Sequence, residues 1–237
     1  KQMFVANTTG TSSTDRIEGM IKNTIAGIIT AKACGIAEPT VGILNVDGAR
    51  QCEMALNKLR EGGFDFKWAT SARADGGAVL RGNDVLMGTP DVMVMDSLTG
   101  NVMIKMLSSF TTGGSFESTG YGYGPGIGKG YENLVLIVSR ASGAPLIANA
   151  LEYAAQLVKG KVFAVAKAEY EAAEKAGLSK ILPLPVLLPK RPRHPPRSPA
   201  PSPSPALRSW TWKTLLRFCG RLASMPSPAW AAPAPSL

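Results

Sequence analysis

The chain has 237 residues and a formal net charge of +9, but the excess charge sits in its final quarter. From Pro183 onward there is no Asp or Glu and there are eight Lys or Arg residues; without them 18 basic residues face 17 acidic ones, a net of +1. That balance excludes a nucleic-acid partner inferred from overall charge, and three cysteines without a C-x-x-C spacing suggest neither a zinc site nor a redox pair.

Taken in chain order, Gln2 to Ala6 reads as a short strand, followed by a Thr/Ser/Gly loop from Asn7 to Thr14. Asp15 with Glu18 three residues later predicts a capped helix start. The helix places Ile17, Met20, Ile21, Ile25 and Ile28 on one face and stops at Gly35. A strand is predicted at Val41 to Asn45, a turn at Asp47-Gly48, a helix from Ala49 to Glu61 and a strand from Phe66 to Thr70. Ala72 to Gly77 reads as a loop. Val92 to Asp96 is a strand, and a short turn then leads into a helix predicted from Asn101 to Phe110. Thr111 to Lys129, rich in Gly, Ser, Thr and Tyr, reads as a long functional loop. Leu134 to Val138 is predicted as a strand, with helices from Pro145 to Val158 and from Phe163 to Ala176. Strands alternating with helices indicate a mostly parallel α/β sheet with helices on both faces.

Residues 1–182 form the predicted folded body. The chain starts at Lys1 with no initiator Met, directly in an apolar run, and the expectation is that it is truncated at its N-terminus. Residues 183–237 hold 14 of the 18 prolines. They read as out-of-frame translation of GC-rich DNA, or alternatively as a disordered, Pro-rich basic tail. No signal peptide and no run of 18 uncharged apolar residues is found, which predicts a cytoplasmic protein without a membrane span.

Two strand ends carry polar groups, at Asp96 with Gly100-Asn101 and at Ser139-Arg140, and open α/β sheets bind ligands at such ends. A helix start at Gly100-Asn101 offers N–H donors to an anion, and Arg140 offers a planar charged fork. Lys105, one turn further, reads as solvated or as an anion ligand, and Cys52 as a buried apolar residue or a thiol. The run Gly120-Tyr-Gly-Tyr-Gly-Pro-Gly-Ile-Gly128 contains neither G-x-G-x-x-G nor G-x-x-x-x-G-K-[ST], so a mobile substrate loop is expected rather than a nucleotide site. Residues 1–182 hold no histidine, which removes a Ser-His-Asp triad. Attack of inorganic phosphate on a thioester needs none. Phosphate is already ionised near neutral pH, and a thiol of pKa about 8.5 leaves with little assistance.

Val41-Gly-Ile-Leu-Asn-Val46 and Pro90-Asp-Val-Met-Val-Met-Asp96 with Gly100-Asn-Val-Met-Ile-Lys105 resemble the bacterial phosphate acyltransferases of phospholipid synthesis. The Asp-x-x-x-Gly-Asn stretch and Ser139-Arg140 before a helix also resemble phosphate acetyltransferases. Thr70-Ser-Ala-Arg-Ala-Asp-Gly-Gly77, the loop Phe110 to Pro125 and Val138-Ser-Arg-Ala-Ser-Gly-Ala-Pro145 are most similar to the alpha subunits of component C of glycine/sarcosine/betaine reductase complexes. The likeness covers about residues 1–182. It implies a three-layer α/β fold of the isocitrate/isopropylmalate dehydrogenase-like type, with the site in an interdomain cleft. It also implies a reaction in which phosphate cleaves an acetyl thioester to acetyl phosphate, without a cofactor or metal.

On that resemblance Arg140, Ser139 and Ser142 are expected to bind phosphate. Gly100 and Asn101 would hold the acyl oxygen or phosphate, with Lys105 nearby, while Asp96 orients their turn and Arg73 guides substrate. The implied partners are the beta subunit of component C and the other reductase components, in an oligomer. At the ungapped position of Cys52 the phospholipid-pathway enzymes carry a lysine, so either Arg50 supplies that charge or the acyl carrier differs. The alternatives are a free phosphate acetyltransferase, a phospholipid-pathway phosphate acyltransferase, or a non-catalytic scaffold subunit.

Overall fold

A computed structural model describes residues 2–7, 13, 15–73 and 76–182. The predicted tail from Pro183, most of the predicted loop 7–14, and Ala74 and Asp75 lie outside the described residues. Five parallel strands form one sheet: β1 (Phe4–Ala6), β2 (Thr40–Leu44), β3 (Lys67–Trp68), β4 (Val79–Leu80) and β5 (Val92–Val94). Their order is β1-β5-β2-β3, and β4 also pairs with β2. The register sets Phe4 against Val92 and Val92 against Val41. β3 lies along the first half of β2, with Thr40 opposite Lys67, and β4 along its second half, with Ile43 opposite Val79.

β2, β4 and β5 are largely apolar because both faces are covered, as expected of a parallel sheet, whereas β3 at the edge exposes Lys67. On β5, Val92 and Val94 enter one core with Ile25, Ile28, Ile43 and Leu56, while Met93 and Met95 enter a second with Leu80. The first core lies under α1 (Arg16–Ala33) and α2 (Ala49–Glu61), and α5 (Ala144–Lys159) and α6 (Val162–Lys175) also contribute residues to it. The second is capped by Val85 of α3 (Gly82–Met87) and Met103 of α4 (Ser97–Thr112). A short α7 (Leu178–Ile181) follows α6. The outer side of α4 is bare: Leu98, Val102 and Met106 form a helical stripe exposed by 69%, 45% and 68%, and Phe110 is 92% exposed. No helix among the described residues is long and apolar enough to cross a membrane.

Most predicted elements are present. Asp15 caps α1 by accepting from the Glu18 N–H at 2.8 Å, and α2 has the predicted bounds. β4 and α3 occupy a stretch that carried no prediction. Two expectations need correction. α4 begins at Ser97, not Asn101, because Asp96 accepts from the N–H groups of Leu98 and Thr99 and caps the first turn. Residues 134–138 do not join the sheet. They form only an isolated antiparallel bridge, Tyr123 to Ile137. The opposing chain is glycine-rich; Gly122 has φ +79° and lies so close that a Cβ would sit 3.1 Å from the Ile137 carbonyl oxygen. Such a left-handed backbone does not propagate a ladder.

Candidate active site

α4 presents Asn101, Lys105 and Ser108 at helical spacing on one face, and the loop after the helix folds back over them. Ser108, buried, anchors the fold-back by accepting from the N–H groups of Ser118 (3.2 Å) and Thr119 (3.1 Å). The Glu117 N–H donates to the Ala141 carbonyl at 2.7 Å, and the Gly143 N–H to the Glu117 carbonyl at 2.9 Å. These bonds hold Glu117 between α4 and the Ser139–Ser142 turn, with its side chain only 1% exposed.

Glu117 organises the site. Lys105 Nζ donates to Glu117 Oε1 at 2.8 Å, and Tyr123 Oη donates to the same oxygen at 2.7 Å. Lys105 also reaches Tyr123 Oη at 2.7 Å, which lies 3.2 Å from Asn101 Oδ1. Ser139 Oγ donates to Glu117 Oε2 at 2.6 Å, with Ser142 Oγ 3.3 Å from Ser139 Oγ. Ser142 in turn accepts from the Ser139 N–H at 2.9 Å. Burial works against the Glu117 carboxylate, but the bonds from Lys105, Ser139 and Tyr123 outweigh it and hold its pKa below the ordinary value. Burial likewise opposes the Lys105 ammonium, and its bonds to Glu117 and Tyr123 hold its pKa above the ordinary value. The Tyr123 hydroxyl is pushed up, chiefly by burial, and stays protonated near neutrality. Glu117 and Tyr123 also line a groove of about 590 Å³ that runs along β1.

Four residues singled out from sequence therefore converge: Asn101, Lys105, Ser139 and Ser142. Glu117 and Tyr123 were not anticipated. The one available signal was that Glu117 is the sole acidic residue between Asp96 and Glu132. Arg140 follows Ser139 on the surface, exposed and with no hydrogen bond or ion pair among the described residues. It does not end a sheet strand, since 134–138 is not one. Gly100 and Asn101 lie inside α4 rather than at its start; the Gly100 N–H already donates to the Asp96 carbonyl at 3.2 Å, so it is not a free anion donor. Gly100 is nonetheless required, because a Cβ there would come within 2.4 Å of Asn7 Nδ2.

Asp96 stands apart, lining a cavity of about 190 Å³ with Arg16, Asn23 and Ser97 between the starts of α1 and α4. Burial raises its pKa, but the bonds from Thr99 and Leu98 and the Arg16 charge prevail and lower it. Arg73 follows β3, at the sheet edge opposite β1. Its loop is fixed by buried Asp84, which accepts from Ser71 Oγ and the Ala72 N–H. Cys52 is fully buried in the first core, and burial pushes its thiol up to about 12, so it fills the core and presents no thiolate to a site.

A family model described as fatty acid synthesis protein matches residues 1–193. The chain is 60% identical over 182 residues to the glycine/sarcosine/betaine reductase complex component C subunit alpha of Peptoclostridium acidaminophilum, covering 77% of this chain and 47% of that protein. It is 39% identical over 80 residues to a phosphate acyltransferase of Phenylobacterium zucineum, 32% of this chain and 21% of that protein. Against the phosphate acyltransferase of Caulobacter vibrioides the identity is 33% over 129 residues, 48% of this chain and 33% of the relative. The chain thus spans less than half the length of these relatives. No solved structure matches significantly.

Proposed function

The chain belongs to the fatty acid synthesis protein family, and from that premise we propose that it is a phosphate acyltransferase-type subunit that forms acetyl phosphate from an enzyme-bound acetyl thioester during glycine, sarcosine or betaine reduction. The complete protein has the isocitrate/isopropylmalate dehydrogenase-like architecture, is cytoplasmic and oligomeric, and works with the beta subunit of component C and the other reductase components. Residues 1–182 are its acyltransferase part. The observation that carries this reading is the convergence of Lys105, Ser139 and Ser142 on Glu117, with Asn101 reaching the Tyr123 hydroxyl bound to it, at the wall of a groove.

In this reaction a phosphate oxygen attacks the thioester carbonyl carbon, a tetrahedral oxyanion forms, and the C–S bond breaks to release a thiolate. The Lys105–Glu117 pair is neutral as a unit, so it does not by itself attract phosphate. Arg140, one residue from Ser139 and unpaired among the described residues, supplies the charge and the bidentate fork. Ser139 and Ser142 orient the anion beside it. Tyr123, protonated and backed by the Lys105 ammonium, faces the groove and donates to the oxyanion by turning its single proton away from Glu117 Oε1, which keeps its bond from Lys105. Asn101 fixes the Tyr123 hydroxyl, Asp96 and Gly100 fix the α4 turn that carries Asn101 and Lys105, and Arg73 guides substrate from the far edge.

The test uses arsenate, because acetyl arsenate hydrolyses spontaneously. Assembled with its reductase partners, the protein should destroy acetyl phosphate in arsenate. Arg140→Lys should raise the phosphate concentration needed for half-saturation by about 30-fold or more, as expected when one charge-assisted contact worth about 2–4 kcal/mol is lost. Unchanged phosphate saturation removes Arg140 from the site. Turnover that requires coenzyme A indicates a free phosphate acetyltransferase, and no turnover in any assay indicates a scaffold subunit.

A further inference from the structure

The hydroxyl protons of the Ser139–Ser142 turn decide which anion the turn can hold, an inference that rests on the phosphate position proposed above. The Glu117 carboxylate is ionised at neutral pH and its side chain is 1% exposed, so it only accepts. Lys105 and Tyr123 donate to Oε1, and Ser139 Oγ donates to Oε2 at 2.6 Å. The Ser142 hydroxyl is also directed inward, to Ser139 Oγ at 3.3 Å and Glu117 Oε2 at 3.5 Å. A serine hydroxyl has one proton and two lone pairs. Both protons of the turn are therefore committed to the buried carboxylate or to the serine that serves it.

The lone pairs set what remains for a ligand. Ser139 Oγ accepts from the Ala141 N–H at 3.1 Å and from Ser142. Ser142 Oγ accepts from the Ser139 N–H at 2.9 Å and keeps one lone pair free. Turning the Ser142 proton outward only moves the free lone pair to Ser139, whose own proton is held by Glu117. Both serines are half-buried, so a ligand can reach them. Arg140 between them contributes donors and no acceptor. The turn thus pairs a fixed cation with a hydroxyl lone pair that needs a donor.

We infer that Glu117 makes this site selective for a tetrahedral oxyanion that still carries a proton, such as phosphate or arsenate, and selective against sulfate. Glu117 acts through the serines, as a specificity-determining residue that does not itself touch the anion. Arg140 takes the ionised oxygens, and the protonated oxygen donates to the free hydroxyl lone pair. Inorganic phosphate keeps at least one proton at neutral pH. Sulfate matches the phosphate dianion in charge and closely in shape, but it has no proton and sets lone pairs against a lone pair.

The test measures sulfate as a competitor of phosphate in acetyl phosphate formation at pH 7, with the chain assembled with its reductase partners. In the wild type the sulfate inhibition constant should exceed the phosphate concentration for half-saturation by about 30-fold or more, less than a fully buried hydroxyl-selecting site achieves because this one is half-buried. Monofluorophosphate, a dianion with P–F in place of P–OH, should compete as poorly as sulfate, and arsenate as well as phosphate. Glu117→Gln should reverse the preference. Its carbonyl stays opposite Lys105 and Tyr123, its amide donates to Ser139, and the Ser139 proton turns outward. Sulfate should then gain on phosphate by about tenfold or more, whereas simple damage to the loop would weaken both anions and leave their ratio unchanged. Should the variant lose turnover, the two wild-type probes decide alone. Sulfate or fluorophosphate that competes as well as phosphate binds overturns the selectivity and leaves the acyl-transfer reading standing, as does an unchanged ratio in an active Glu117→Gln. Phosphate saturation that is insensitive to Arg140→Lys, or no turnover at all, overturns the phosphate position and this inference with it.

Discussion

Replacing Glu117 with alanine would strand Lys105, Tyr123 and Ser139 at once. A buried carboxylate with this many donors should cost about 2–4 kcal/mol to remove, the lower part of the range for buried pairs because the Lys105 side chain is 42% exposed. Glu117→Gln keeps the shape and one acceptor, and isolates the charge. The folded-state pKa of Glu117 lies below its ordinary value, so the unfolded chain takes up the proton first as the pH falls. The charge-dependent stability is complete above the unfolded value and disappears as the pH drops through the folded one. Urea melts should therefore separate wild type from Glu117→Gln at pH 7, with the gap closing below about pH 4. A gap that persists at pH 2.5 would mean that the carboxylate acts through shape rather than charge. Sequence reasoning reached four of the converging side chains, although Asn101 lies inside α4 rather than at its start and Ser139 follows a stretch that joins no sheet. It missed Glu117 because an acid in a Gly/Ser/Tyr-rich loop reads as solvated until Ser108 is seen to pull that loop over α4.

Among the elements, the helices were the most legible. α1, α2, α5 and α6 carry an apolar face and end within two residues of a glycine, and their bounds fall within two residues of expectation. The start of α4 was misplaced because Thr99-Gly100 looks like a turn, whereas three hydrogen bonds to the Asp96 carboxylate outweigh the weak helix propensity of glycine. Residues 134–138 have strand composition, but a strand also needs a partner that stays extended, a property of distant residues. Close helix contacts were likewise invisible. The turn between α5 and α6 presses Gly160 against the end of α1, where an added Cβ would sit 1.7 Å from the Ala33 carbonyl oxygen. Backbone must move to admit it. Gly160→Ala should cost about 1–3 kcal/mol and lower the melting temperature by roughly 3–10 °C. Gly63→Ala, a surface comparison with nothing within 4 Å but a φ of +100°, should lose only about 1–2 kcal/mol of stability, through the backbone strain it introduces. A smaller loss at Gly160 than at Gly63 would refute the packing argument.

At the scale of the whole molecule, the alternation of strands and helices in residues 1–182 was enough to read a parallel α/β sheet, because the central strands β2 and β5 are buried on both faces and their composition shows it. What the pattern did not show is how unequally the two faces are covered. One carries α1 and α2; the other has only α3 and α4, with Leu98, Val102, Met106 and Phe110 left outward. That stripe has a consequence for how the chain is judged at the bench. A solvatochromic dye such as ANS should fluoresce strongly with the protein at neutral pH, a response commonly taken as the mark of a molten globule. Here the near-UV circular dichroism should remain native-like and the melt cooperative, because the dye meets an ordered helix face rather than a loosened core. Replacing Met106 and Phe110 together with serine should abolish most of the dye signal and leave the melting temperature within a few degrees. If the signal persists in the double variant, the dye binds elsewhere, in the groove along β1 where the near-UV spectrum stays native-like, or in a loosened core where it does not.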